Sequence, residues 1–222
     1  MDVLISSLVA SVILAAIPLI LAGLGELITE KAGVLNLGVE GMMLLGAVTS
    51  FIVAFGTNQL WLGLLIGVLV GALAAAVFAF LVVRLLTNQV ATGLALTILG
   101  TGLSALFGVK YVGQPLAGFD VVAIPFLADL PLVGALFNQS LPAYLSIVIA
   151  VALSVLLYRS KLGLIVRAVG ESPTVEHSIG YDVLKVRYGA TIVGGALTGL
   201  AGAFTVLVKF RAGQEGITGG TG

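Results

Sequence analysis

Apolar residues in this chain gather into long continuous runs instead of recurring at the alternating or helical spacing that marks one buried face. Six runs, at about residues 3–23, 34–55, 61–83, 90–109, 142–158 and 191–208, come close to the ~20 apolar residues that a helix needs to cross a bilayer. Pro18 lies inside the first run and predicts a kink facing the protein interior, where neighbours can satisfy the freed carbonyl. A further apolar stretch, 116–137, is interrupted by Asp120, Pro125, Asp129, Pro131 and Gly134, which suits an interfacial or re-entrant hairpin better than a straight span. The pattern therefore predicts an all-α fold, a polytopic transmembrane bundle of about six spanning helices. No hydrophilic stretch is long enough for a separate soluble core, so residues 1–222 read as a single membrane domain.

Composition strengthens this reading, because 59% of residues are hydrophobic, 9% are charged and the mean hydropathy is +1.22, outside the range of soluble domains. Asp2 stands where a signal peptide would carry basic residues, so the first run reads as an uncleaved span. A formal net charge of zero, with no clustered basic face, argues against nucleic acid as a partner. The chain has no cysteine and a single histidine, His177, which leaves no metal site. No cofactor is implied, and no phosphate-binding Gly-rich motif with Lys and Ser/Thr occurs.

Lys31, Arg84, Arg159, Lys161, Arg167, Lys185 and Arg187 fall on one side of the predicted spans, and Lys110, Lys209 and Arg211 on the other. The first side is expected to be cytoplasmic, with the amino terminus and residues 110–141 outside. Glycine is also patterned: Gly63, Gly67 and Gly71 recur every four residues in the third run, and Gly195 and Gly199 with Gly202 mark the sixth, stripes where another backbone can approach.

Charge inside lipid is costly, which singles out residues 26–40 with Glu26, Glu30, Lys31 and Glu40 between two apolar runs. One reading makes this a solvated turn. The other makes the glycine-rich stretch 33–41 a break in a membrane helix that lines a polar path, with Asn36 and Glu40 four apart on one helical face and Gly38 and Gly41 leaving room for a ligand or a backbone. Glu26 fits either. Asn88 and Gln89, before the fourth span, suit path-lining and helix capping equally. Beyond Arg159, the pair Ser172-Pro173 signals a helix start and Gly180 a stop, bracketing a short helix on the cytoplasmic face that suits docking on a soluble partner or lying at the headgroups.

The runs LGELITEKAGVLNLGVEGMMLLGA (24–47), NQVATGLALTILGTGLSALFG (88–108), YRSKLGLIVRAVGESP (158–173) and GGALTGLAGAF (194–204) closely resemble permease subunits of bacterial ABC importers for nucleosides and simple sugars, within the group of ribose and branched-chain amino acid permeases. The resemblance implies a multi-pass plasma-membrane subunit, not itself an enzyme, whose Asn36, Glu40, Asn88 and Gln89 lie along or beside the translocation path of a small-molecule substrate, with Glu26 kept as a further candidate from the residues alone. It implies a coupling helix at 173–179, with Gly170, Glu171, Pro173, Glu176 and Gly180 in the segment that docks on an ATP-binding cassette ATPase subunit. A second permease subunit, identical or related, an extracytoplasmic substrate-binding protein and membrane lipid are the other partners it implies. Thr174-Val175-Glu176-His177 departs from the small residues usual there, which leaves the docking contacts open. Family members continue beyond the motif at 214–222, so the chain is expected to be truncated at its carboxy end. The competing readings are an ion-driven secondary transporter with Glu26 and Glu40 as proton carriers, and a membrane scaffold that leaves Asn36 and Glu40 unexplained.

Overall fold

The computed structural model describes residues 2–124, 134–171 and 182–210. Among these residues the chain forms α1 (Asp2–Lys31), α2 (Val39–Thr57), α3 (Leu60–Ala79), α4 (Gln89–Gly108), α5 (Leu141–Arg159), α6 (Lys161–Glu171) and α7 (Val183–Phe204). Helices α3 and α7 continue into wider π turns, Phe80–Arg84 and Thr205–Phe210. All but the short α6 are long and apolar enough to cross a membrane, which gives six candidate spans. The flanks of the interrupted stretch return as two short antiparallel strands, β1 (Val121–Ala123) and β2 (Asn138–Ser140), with Val122 opposite Gln139.

Three boundaries differ from the expected ones. Helix α1 does not stop at Gly23 but carries Glu26, Glu30 and Lys31 in its last turns, because a lone glycine does not end a helix and a cation is favoured at its carboxy end. Helix α2 begins at Val39 instead of 34, since the chain between is held in a turn described below. Helix α7 starts at Val183, well before 191, where the Asp182 carboxylate accepts the Lys185 N–H at 3.3 Å and caps it.

Glycine and alanine set the packing. Helix α7 is the axis: 78% of its apolar window is buried, against 11% for α4 at the rim. A β-carbon on Gly71 of α3 would come within 2.6 Å of the Cα of Gly199, and one on Gly67 within 2.7 Å of the Ala203 side chain. Gly63 meets α2 instead, 2.7 Å from the Ser50 carbonyl. Gly195 fits against Ala75, Gly46 of α2 against Gly199, and Gly25 of α1 against Gly194, so α1, α2 and α3 all reach α7 at backbone distance. Pro18 is buried in α1.

Candidate functional site

Residues 32–38 join α1 to α2 as non-helical backbone packed between helices, and several of its polar groups are paired. Gly33, at φ 80°, closes α1: its N–H donates to the Glu30 carbonyl at 2.9 Å and the Val34 N–H to the Thr29 carbonyl at 3.2 Å, the paired bonds of a Schellman motif. The Leu35 N–H donates to Gln89 Oε1 at 2.7 Å, and the Asn36 N–H to Glu26 Oε1 at 3.2 Å. Asn36 Oδ1 accepts the Gly38 N–H at 2.9 Å, and the Thr97 hydroxyl donates to the Leu37 carbonyl at 3.0 Å. Such bonds satisfy backbone groups that no helix or strand pairs.

The local turn overrules one expectation. Asn36 lies in the linker and Glu40 in the first turn of α2, so the two do not share a helical face. The reason is the Asn36 side chain itself, which bends back onto Gly38 and delays the helix until Val39. The space beside Gly38 and Gly41 is taken by α4: a β-carbon on Gly38 would meet the Gly93 carbonyl at 3.3 Å, and one on Gly41 the Thr97 Cα at 2.8 Å.

Glu26 and Asn36 come together at a cavity of about 300 Å³ between α1 and the linker, lined also by Leu19, Gly23, Leu37 and Val39. Glu26 Oε2 is buried with no hydrogen-bond partner among the described residues, whereas Asn36 is buried and its amide contacts Met42 Sδ at 3.6 Å. Three other expected path residues do not line this cavity. Asn88 caps α4, its Oδ1 accepting the Ala91 N–H at 3.0 Å; Gln89 ties α4 to the linker; Glu40 is half-buried at the amino end of α2, where the helix dipole favours a carboxylate.

Gly170 and Glu171 end α6, while Pro173, Glu176 and Gly180 lie outside the described residues. Gly170 packs on the carboxy end of α1, and a β-carbon on Gly33 would lie 3.3 Å from both the Gly170 Cα and Arg187 Nη2. The carboxy ends of α1 and α6, which favour a cation, thus converge beside the Arg187 guanidinium. Arg187, which the sequence marked only as a charge on the cytoplasmic side, is thus a residue of this site, and Thr97 joins it through its bond to Leu37. Among the described residues no group of His, Asp and Glu could hold a metal ion.

Residues 8–218 match the family described as branched-chain amino acid transport system, permease component. The chain belongs to that permease family. It is 45% identical over 222 residues to TsgC13, an ABC transporter permease protein of Haloferax volcanii named for glucose, covering 98% of this chain and 68% of that one. It is 30% identical to the nucleoside ABC transporter permease NupC of Lactococcus lactis, over 88% of this chain and 66% of the relative. Likewise it is 30% identical to the guanosine ABC transporter permease NupQ of Bacillus subtilis, over 93% of this chain and 70% of the relative. The permease thus spans about two thirds of the length of these relatives. No solved structure matches it. It is a multi-pass plasma-membrane permease subunit of the ABC type, a transport component and not an enzyme.

Proposed function

We propose that the permease, as one membrane domain, forms the solute path of an ATP-driven importer for a simple sugar or nucleoside. The observation that carries this is the linker 32–38: one side borders the cavity at Glu26 and Asn36, and its start packs on Gly170, where α6 leaves for the expected docking segment. Movement of that segment by an ATPase subunit would be passed through Gly170 and Gly33 to the linker, and from Leu35 to Gln89 on α4. The names of the relatives support glucose and nucleosides as the solutes to try first. An extracytoplasmic binding protein would deliver solute, and a second permease subunit would complete the path.

The test is uptake of labelled glucose and guanosine into vesicles carrying the permease with an ATP-binding cassette ATPase, a second permease and a binding protein from the same source. Uptake is expected to stop on ATP depletion and to survive an uncoupler. Uptake that collapses with the uncoupler and persists without ATP would instead favour a proton-driven carrier, for which the buried oxygen of Glu26 is the candidate.

A further inference from the structure

A second cavity, of about 350 Å³, lies between α6, the carboxy end of α5 and the amino end of α7, with Ile28 of α1 at its side. Its walls are apolar, with Leu153 and Leu157 from α5, Ile165 from α6 and Val186 and Val193 from α7; among the described residues Lys185 is the charged one on its lining. The helix that roofs it has only the residues Lys161–Glu171, too few to span a bilayer. Leu162, Ile165, Val166 and Val169 occupy one face of that helix, while Lys161, Arg167 and Glu171 fall elsewhere, the pattern of a helix lying flat in the headgroup layer.

Charge at the rim is mostly positive. Arg159 and Lys161 are exposed on either side of the turn at Ser160, next to the leucines that line the cavity, and Lys185 is exposed with its Nζ 3.2 Å from the Asp182 carboxylate. Arg167 is engaged elsewhere, over the Tyr158 ring at 5.5 Å and donating to the Gly163 carbonyl at 3.4 Å. An apolar slot with, among the described residues, three cations and one carboxylate near its rim has the layout of a single phospholipid standing upright.

We propose that this cavity binds an anionic phospholipid, one acyl chain in the slot and the phosphate among Arg159, Lys161 and Lys185. A zwitterionic lipid fits the slot equally but brings its own cation against the rim, so charge decides between them. The bound lipid would fix the tilt of α6, the helix that leads into the expected docking segment.

Purified, delipidated permease titrated with phosphatidylglycerol or phosphatidylcholine and read by native mass spectrometry tests this. One phosphatidylglycerol is expected to bind at concentrations about fivefold or more below phosphatidylcholine, and the double variant K161Q/K185Q to erase that preference. Gly189→Leu fills the mouth of the cavity, where a β-carbon meets nothing within 4 Å, and is expected to abolish retention of both lipids with unchanged melting. Ile165→Trp blocks the slot from the opposite wall should the first variant fold poorly. Equal binding of the two lipids by the parent chain, undiminished lipid in the cavity-filling variants, equal competition by inorganic phosphate alone, or a second copy of the chain occupying the face in place of lipid would each overturn the proposal.

Discussion

Gly33 and Gly170 stand backbone against backbone: a β-carbon on Gly170 would lie 3.0 Å from the Gly33 amide nitrogen and run into the Lys31 carbonyl oxygen. No side chain can yield there, so Gly170→Ala must push α6 off the end of α1. The expected loss is about 1–3 kcal/mol, a lowered melting midpoint in detergent. In the assembled importer the same variant, like Pro173→Ala, is expected to insert normally and leave ATP hydrolysis running without uptake. Gly23→Ala, with nothing within 4 Å, is the control, and an equal midpoint for both alanine variants would refute the contact.

Gln89 holds the linker through one acceptor oxygen, 2.7 Å from the Leu35 nitrogen. Gln89→Ala should free that amide at a cost of about 0.5–1.5 kcal/mol, whereas Gln89→Glu keeps an acceptor in place. Hydrogen exchange at Leu35 is expected to quicken in the first variant and not in the second. Equal exchange in both would mean the side chain does not secure the linker.

The α3–α7 seam makes a sharper demand. Gly71→Ala and Gly199→Ala each place a methyl group into facing backbone, and each is expected to lower stability by about 1–3 kcal/mol, while Gly102→Ala, in open space, changes nothing. Reversible unfolding in mixed micelles ranks the three, and a Gly102 variant as weak as the others would remove the seam from the account.

Orientation is open to labelling because these 222 residues include no cysteine. A cysteine at Gly118 should react with an impermeant maleimide added outside, and one at Ser172 should not. The reverse pattern inverts the topology and moves the docking segment outside.

At the start of α7, hydrogen bonds from the Lys185 side chain and then its amide hold the Asp182 carboxyl below its ordinary 3.8. A depressed carboxylate stabilises the fold above its unfolded pKa, and that contribution is lost as pH falls through the folded value. The Lys185 amide resonance is therefore expected to titrate with a midpoint below 3.8, and a midpoint above it would mean the cap is not formed.

Spans such as α3 and α5 were legible because apolar residues surround the whole helix and their far ends are marked by Arg84 and Arg159. Helix α1 overran its apolar stretch because hydropathy counts Glu26 as charge and cannot see that it accepts the Asn36 amide. The same blindness misplaced Asn36 on a helix: its role follows from a turn at Gly38 that depends on three-dimensional closure against α4. Glycine spacing pointed to close approach in α3, yet not to which partner each glycine meets, since Gly63 and Gly71 face different helices.

Helix α7 is the surface on which α1, α2 and α3 converge, and α1 touches α2 only slightly. During synthesis those three segments enter the bilayer long before the piece that locks them together has left the ribosome. The nascent permease must therefore wait with Gly25, Gly46 and Gly71 not yet covered, a period in which another half-made membrane protein can pair with them, so assembly should depend on a membrane chaperone more than final stability suggests.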